Sequence, residues 1–272
     1  MNYLQIEFAS LQKSEQEILI AMLIESSFES FEEEENSLKA FIKEKEFNEA
    51  LLTNIIEKIP VSYKITVVPQ QNWNAQWESS FEPIIINEFA GIRAGFHQPL
   101  KNVRYQIIIT PKMSFGTGHH ATTFMMVEQM EAIDFKNKKV LDFGTGTAVL
   151  AILAEKMGAA SVDAIDYDEW SIDNSKENVA VNHCSKINLI KADAVSANET
   201  YDIILANINL NVIKKNLAAI KKAAVADCII LLSGFLKSDE TEMIDALAQN
   251  GFIIQNTMQN AEWNCILAKN KR

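Results

Sequence analysis

Two glycines between an apolar strand and a helix are the clearest chemical feature of the sequence. The run Val140-Leu-Asp-Phe-Gly-Thr-Gly-Thr-Ala148 ends a predicted strand in Gly144 and Gly146, and a helical pattern follows at once. Glycine lets the backbone turn sharply and approach a ligand closely, and the first turn of a helix offers unpaired N–H groups. The pattern therefore predicts a ligand bound at the end of this strand.

Two acids near this loop indicate which ligand it is. Asp166 closes the next predicted strand, 20 residues after Gly146, where a carboxylate can accept both hydroxyls of a ribose. A dinucleotide fingerprint needs a third glycine where this sequence has Val149. Asp142, just before the loop, would repel a pyrophosphate but attract the α-amine of a methionine group. The residues favour S-adenosylmethionine over NAD as the cofactor.

The acids also have structural interpretations. Asp142 could brace the loop by accepting hydrogen bonds, and Asp166 could cap the following helix, although Asp168 is better placed for that cap. Asp193 follows the third strand, where an adenine-contacting group would sit in such a fold. Its alternative is a residue of a surface turn.

A histidine pair suggests a second kind of site, but a poor one. His119 and His120 are adjacent in the sequence, so on a loop their side chains diverge, and no third ligand has suitable spacing. We predict no metal site. We expect these residues to form a wall of the substrate pocket, together with Phe115 and Thr117.

The elements that position these residues alternate between strands and helices towards the C-terminus. This alternation predicts a Rossmann-like, mostly parallel sheet of seven strands with helices on both faces, and the short turn at residues 259–261 predicts an antiparallel last strand. The predicted strands are Lys139–Phe143, Ser161–Asp166, Ile187–Ile190, Asp202–Ile208, Asp227–Ser233, Gly251–Met258 and Trp263–Lys269. Three earlier segments, at residues 84–86, 91–95 and 103–110, are expected to form an antiparallel meander.

The first 70 residues show a different pattern of predicted strands and helices. Short segments in the order β-α-β-β-α-β predict a small α+β ferredoxin-like domain over residues 1–70. Its first helix, Ser14–Leu23, is expected to turn Ile18, Ala21 and Met22 to one face. Residues 71–82 contain two tryptophans at helical spacing and are predicted to form a linker helix; residues 83–272 form the cofactor-binding domain.

Charge is distributed unevenly between these parts. The chain carries a net charge of −11, and residues 1–70 hold 13 Glu, no Asp, 6 Lys and no Arg, a net charge of −7. An acidic protein is a poor general binder of nucleic acid but attracts basic partners. Three widely spaced cysteines, no apolar run long enough for a bilayer span and no signal-peptide pattern indicate a cytoplasmic protein.

One thirteen-residue segment has a specific resemblance. The run Pro111-Lys-Met-Ser-Phe-Gly-Thr-Gly-His-His-Ala-Thr-Thr123 resembles the PGMAFGTGTHPTT signature of the bacterial methyltransferases that modify large-subunit ribosomal protein eleven, the PrmA family. Further matches follow in the family's order: the glycine loop and the segments 165–166, 205–208, 232–234 and 262–263. The resemblance covers nearly the whole chain.

The resemblance implies transfer of methyl groups from S-adenosylmethionine to lysine side-chain amines and the N-terminal amine of a ribosomal protein. It implies cofactor contacts, which together with the glycine-loop and adenine-side predictions give Thr123, Gly144, Gly146, Asp166, Asp193 and Asn207. We treat Asn207, Thr117 and His120 as catalytic positioning groups and Phe115 as a substrate contact. We expect a monomer that binds a basic ribosomal protein through residues 1–70, with no direct DNA binding and no membrane.

The sequence departs from the family pattern at a few positions, and two alternatives stay open. Lys112 stands where the family usually has Gly, and His119 where it has Thr, which puts the exact substrate preference in question. One alternative is a class I methyltransferase of another protein or of a small molecule; the other is a non-catalytic module that binds S-adenosylmethionine. Enzymes that methylate glutamine carry Asn-Pro-Pro-Tyr where this chain has Asn207-Ile-Asn-Leu210, which argues against that substrate.

Overall fold

The chain folds into two compact units that divide between residues 76 and 77. The computed structural model describes residues 3–24, 26–34, 36–68, 81–112, 116–196 and 198–271. The predicted linker helix, residues 71–82, lies outside the described residues except for its last two positions, which are not helical. The predicted boundaries of the domains remain predictions.

The N-terminal unit is an antiparallel sheet with two helices. Its elements are β1 (Tyr3–Ala9), α1 (Lys13–Ile24), β2 (Ser30–Glu33), β3 (Ser37–Lys43), α2 (Glu49–Lys58) and β4 (Ser62–Val68), with one 3-10 turn at Glu44–Glu46. The strand order is β2-β3-β1-β4, and each neighbouring pair is antiparallel. Alternation along β1 buries Leu4, Ile6 and Phe8 in the core of this unit.

Helix α1 is rotated relative to the sequence prediction. Ile18, expected on the inner face, is 56% exposed, whereas Leu19 and Leu23 are fully buried. The buried face also contains Gln16, whose side-chain amide donates to the backbone oxygen of Glu34 at 3.0 Å. Two leucines at i, i+4 spacing together with this anchored amide orient the helix, and of the residues predicted to share a face Met22 packs against the core whereas Ile18 does not.

The C-terminal unit contains the remaining elements. Its strands are β5 (Ile84–Ile86), β6 (Ala90–Ala94), β7 (Tyr105–Ile109), β8 (Lys139–Phe143), β9 (Ser161–Asp166), β10 (Ile187–Lys191), β11 (Tyr201–Asn207), β12 (Ala224–Leu236), β13 (Phe252–Asn260) and β14 (Trp263–Asn270). Its helices are α3 (Ala121–Met130), α4 (Val149–Lys156), α5 (Glu169–Val181), α6 (Leu210–Ala223) and α7 (Glu240–Gln249), with a 3-10 turn at Lys237–Asp239.

The large sheet has seven strands in the order β10-β9-β8-β11-β12-β14-β13. Strands β8 to β12 pair in parallel, and β14 is antiparallel to both of its neighbours. The predicted sheet with an antiparallel last strand is thereby confirmed. Hydrophobic clusters cover both of its faces, because helices pack on each side.

A smaller sheet, in the order β5-β6-β7, differs from the predicted meander. Strands β5 and β6 are antiparallel, but β6 and β7 are parallel. No tight turn joins β6 to β7; residues 95–104 carry the chain back to the end where β6 began. As a result, β7 points its C-terminal end towards the segment 111–123.

Strand order determines where a ligand can bind. After β8 the chain turns to one side of the sheet to form β9, and later returns to the other side of β8 to form β11. In open α/β sheets a crevice forms at the carboxyl ends of strands at such a reversal. The glycine loop, Asp166 and Asn207 each stand at the carboxyl end of one of these three strands.

Candidate active site

A cavity of about 570 Å³ lies along the carboxyl ends of the central strands. Apolar and polar groups line it together, as in cofactor pockets. Its lining residues include Gly116, Thr123, Gly144, Gly146, Asp166, Tyr167, Asp193, Asn207, Gly234 and Trp263. All the predicted cofactor contacts are among them.

The glycine loop forms the floor of this cavity. Gly144 and Gly146 have φ values of +77° and +54°, which favour glycine. A Cβ on Gly144 would lie 2.1 Å from Cγ2 of Ile208, so this position has no space for a side chain. Helix α4 then begins after Ala148, whose side chain makes no capping hydrogen bond, and the buried Asp142 carboxyl is hydrogen-bonded to the backbone of Ala151 in the first turn of this helix.

Asp166 is fixed by the backbone on two sides. One carboxylate oxygen accepts from the N–H of Gly146 at 2.9 Å, and the other accepts from the N–H of Asp168 at 3.0 Å. Asp168 is the N-cap of α5, accepting from the N–H groups of Trp170 and Ser171, as the sequence indicated. Asp166 is therefore not the cap, and its carboxylate remains at the cavity wall with lone pairs available for hydroxyl donors.

Asp142 has the bracing position that was one of its two interpretations. It is fully buried, does not line the cavity, and accepts a hydrogen bond from the Thr145 hydroxyl at 2.6 Å. Burial raises the pKa of this carboxyl to about 7, against the lowering effect of the Thr145 hydrogen bond. The geometry favours the brace over direct contact with a methionine amine.

The far end of the cavity combines an exposed acid with an exposed aromatic ring. Asp193 follows β10, lines the cavity and is exposed, so it lies both at the ligand site and at the surface. Tyr167, which the sequence reasoning missed, lines the same region and is 76% exposed. Its place directly after the strand-ending Asp166 was the available signal. An accessible ring beside a carboxylate suits a purine.

At the near end, an amide and a hydroxyl meet. The Asn207 side-chain nitrogen donates to the Thr123 hydroxyl at 3.2 Å, and both residues are buried. The Asn207 side-chain oxygen is buried and finds no hydrogen-bond partner among the described residues. A buried unpaired acceptor is costly, so this atom marks a place where a donor belongs.

Asn207 is held in place through its neighbour. The backbone of Ile208 donates to Ser233 at 3.0 Å and packs against Gly234, whose Cβ would lie 2.5 Å from the Ile208 carbonyl oxygen. Gly234 has φ +95° and interrupts the register between β12 and β14. The glycine therefore admits the Ile208 backbone, which keeps Asn207 at the cavity.

Three other residues predicted for the site do not line the cavity or are not among the described residues. His120 does not line the cavity, but its ring meets Trp263, which does, edge to face at 4.5 Å. Burial lowers the pKa of His120, so the ring is neutral at pH 7. Thr117 does not line the cavity and approaches the His119 ring at 3.5 Å. Phe115 lies outside the described residues.

No group of three His, Cys, Asp or Glu side chains in the described part of the chain is arranged to hold a metal ion. Within the same residues, no helix has the length and apolar character needed to cross a bilayer.

Comparisons with known proteins agree along the whole chain. The family model for ribosomal protein L11 methyltransferase (PrmA) matches residues 5–271. The ribosomal protein L11 methyltransferase of Phocaeicola vulgatus is 36% identical over 249 residues, covering 88% of this chain and 89% of that protein. The protein of the same name from Chlorobaculum parvum is 36% identical over 283 residues, covering 99% and 97%.

Solved structures are similar to this chain in fold. The crystal structure of ribosomal protein L11 methylase from Lactobacillus delbrueckii subsp. bulgaricus superimposes with a TM-score of 0.66 at 28% identity, covering 71% of this chain and 100% of that one. A methyltransferase from Pyrococcus furiosus shares the fold, with a TM-score of 0.51 at 17% identity over 60% of this chain and 88% of that one.

Proposed function

The chain belongs to the ribosomal protein L11 methyltransferase family, and we propose that it transfers methyl groups to lysine side-chain and N-terminal amines of ribosomal protein L11. It is a methyltransferase that uses S-adenosylmethionine. One observation supports the proposal beyond membership alone: Asn207, whose buried side-chain oxygen has no hydrogen-bond partner among the described residues, lines the same cavity as Asp166, the proposed ribose contact.

The residues present fit the cofactor. The Asp166 carboxylate suits two ribose hydroxyls, the glycine loop leaves room for close approach, and Tyr167 with Asp193 suits the adenine end. Thr123 lies in the first turn of helix α3 and supplies a hydroxyl near N–H groups that can hold a carboxylate. S-adenosylmethionine would supply a sulfonium methyl group for direct displacement.

The methyl acceptor must arrive as a neutral amine. A free lysine has a pKa of about 10.4, so neutralising it near pH 7.4 costs ~4 kcal/mol, whereas an α-amine near ~7.7 costs far less. Removal of the amine from water on binding would favour the neutral form. The Asn207 oxygen accepts one amine hydrogen and thereby aims the nitrogen lone pair towards the methyl group. Such alignment supplies much of the rate.

We propose that an aromatic pair shields the amine-binding side of the cavity from water. Trp263 lines the cavity and His120 packs against its ring, while the His120 Nδ1 lies 2.8 Å from the Thr122 hydroxyl. Burial lowers the pKa of His120, which favours its neutral form and so weakens any repulsion of an incoming lysine. We propose that His120 and Thr117 position this wall and that Phe115 contacts the substrate amine.

The N-terminal unit is proposed to recognise the substrate protein. Its strand order and two helices support a ferredoxin-like classification, and its net charge of −7 over residues 1–70 suits a basic partner. We further propose that the protein acts as a monomer in the cytoplasm, where ribosomal proteins are made, and binds no DNA directly.

The test is a transfer assay with purified L11 as acceptor. Mass spectrometry should show added methyl increments on lysines and the N-terminus of L11 when S-adenosylmethionine is present. Binding of S-adenosylhomocysteine should be measured in parallel by calorimetry. Cofactor binding with no transfer to L11 would indicate another acceptor or a non-catalytic module, and no cofactor binding would refute the assigned pocket.

A further inference from the structure

Helix α5 carries a row of buried amides that the proposed function does not use. Asn174, Asn178 and Asn182 recur at i, i+4 and i+8 from within the helix to its C-cap, and they are 1%, 0% and 7% exposed. Asparagine is a weak helix former, and a buried amide is costly unless its hydrogen bonds are made. The row therefore points to hydrogen bonding rather than to packing.

The middle amide connects two segments of the site. The Asn178 side-chain oxygen accepts from the N–H of Thr110 at 2.7 Å, just after β7. Its nitrogen donates to the carbonyl of Thr147 at 2.9 Å and to the side-chain oxygen of Asn174, also at 2.9 Å. The end of β7 and the glycine loop are thus joined through one side chain.

Neighbouring bonds fix the two ends of this link. Asn182 bonds both the N–H and the carbonyl of Ile108, at 3.0 and 2.5 Å, and so anchors β7 to the helix. On the other side, the Ser175 hydroxyl donates to the carbonyl of Gly146 at 2.6 Å. Both the strand and the glycine loop are therefore attached to α5.

Thr147 links the glycine loop to the loop on the proposed substrate side. Its hydroxyl donates to the carbonyl of Gly116 at 2.7 Å. A Cβ on Gly116, whose φ is +100°, would lie 2.9 Å from that same hydroxyl oxygen, so the two segments are in close contact. Gly116 lines the cavity, whereas Thr147 is fully buried and does not. Residues 116–120, here called the acceptor loop, are thereby tied to the glycine loop.

We propose that Thr147 and Asn178 are positioning residues that couple the glycine loop to the acceptor loop, so that filling the cofactor site fixes the amine-binding side. The proposal rests on the proposed function for the identity of the two sides. Methyl transfer depends on alignment of nitrogen, methyl and sulfur, and small misplacements cost large factors in rate. A link between the two loops acts on this alignment without touching either ligand.

A matched pair at one position tests the link. Thr147→Val keeps the shape but removes the hydroxyl, whereas Thr147→Ser keeps the hydroxyl. We expect Thr147→Val to lower kcat about tenfold, with the Kd for S-adenosylhomocysteine changed less than about threefold, and Thr147→Ser to stay near wild type. Tyr201→Phe, which removes a buried hydroxyl bond to Asp163 at the opposite end of β11, is the control and should leave kcat unchanged.

A second readout needs no methyl acceptor. Amide hydrogen exchange over residues 116–124 should slow when S-adenosylhomocysteine binds to the wild type and to Thr147→Ser, but hardly at all in Thr147→Val. If the wild type methylates no L11, the proposed function fails while this exchange result still decides the coupling. Equal kcat values in the Val and Ser variants, or equal exchange protection in them, would overturn the coupling.

Asn178 provides an independent check on the link. Asn178→Leu removes the bonds to both segments, and we expect a larger loss of kcat than in Thr147→Val. Because the two residues act through one chain of hydrogen bonds, the double variant Thr147→Val, Asn178→Leu should lose little more kcat than Asn178→Leu alone. If the kcat loss of the double variant equals the product of the two single losses, the two residues do not act through one chain of hydrogen bonds. If Asn178→Leu does not fold, the Thr147 pair still decides.

Discussion

The two units hold their carboxylates in opposite ways. In the N-terminal unit no described glutamate is buried, and two of them pair with lysines of the neighbouring strand, Glu29 with Lys43 and Glu34 with Lys39. In the C-terminal unit Asp142 and Asp166 are buried at the ends of adjacent strands. The exposed acids create a field that salt screens, whereas the buried ones fix atoms in place.

This difference teaches which substitutions should matter. A single exposed charge contributes little, because water and counter-ions weaken its interactions. A buried carboxylate that accepts backbone N–H groups leaves those donors unpaired when it is lost. Effects should therefore fall steeply from the buried acids of the site to the exposed acids of the N-terminal unit.

The largest effect is expected at Asp166. Asp166→Ala should weaken S-adenosylhomocysteine binding on the order of 100-fold, because it removes the proposed ribose acceptor and leaves the N–H groups of Gly146 and Asp168 without their carboxylate partner. Isothermal calorimetry measures the change. Asp163→Asn, three residues earlier on the same strand, serves as the control and should bind within about twofold. Equal affinities in Asp166→Ala and the control would contradict the assigned ribose site.

Asn207 should separate binding from chemistry. Asn207→Ala should lower kcat for L11 on the order of 100-fold, since the amine loses its acceptor, and should weaken S-adenosylhomocysteine binding much less. Steady-state kinetics give kcat, and calorimetry gives the Kd for S-adenosylhomocysteine. A loss confined to KM, with kcat intact, would mean that Asn207 only holds ligand and does not orient the amine.

Part of the candidate site in the C-terminal unit could be predicted from the sequence. The strand–glycine–helix pattern predicts a ligand at the end of β8, where the cavity lies, and the strand-end position of Asp166 predicts a contact with that ligand. Asn207, in contrast, is implied by the family resemblance. Trp263 was only a family match; its place in the wall depends on β14 lying next to β12, a long-range pairing without a local signal. The asparagine row did have a signal, its i, i+4 spacing.

Other features depended on tertiary packing. The parallel pairing of β6 with β7 and the rotation of α1 follow from which neighbours each element meets, and short segments do not encode this. The role of Asp142 was left open by the sequence, since a brace and an amine contact require the same residue type. Its burial away from the cavity wall decided between them.

A smaller, pH-dependent effect is expected at Asp142. Its pKa is raised from an unfolded value near 3.8 to about 7, so the folded state favours the protonated carboxyl. This contribution to stability is complete below pH ~4 and is lost as the pH rises towards 7. Chemical unfolding between pH 5 and 8 should show a steeper loss in the wild type than in Asp142→Asn. Identical slopes would mean that the carboxyl does not titrate in this range.

The smallest effect is expected from the exposed acids of the N-terminal unit. It tests whether their electrostatic field attracts the substrate protein. The double variant Glu32→Gln, Glu33→Gln on edge strand β2 should lower kcat/KM for L11 by a few-fold at low ionic strength and not at 0.5 M salt. The matched double variant Glu131→Gln, Asp134→Asn removes two exposed acids of the C-terminal unit. Stopped-flow association rates distinguish the two, since a recognition surface on the N-terminal unit predicts a loss only in the first. If both variants lose equally, the acidity acts through net charge alone, and if neither changes, the β2 acids form a solvated edge with no part in docking.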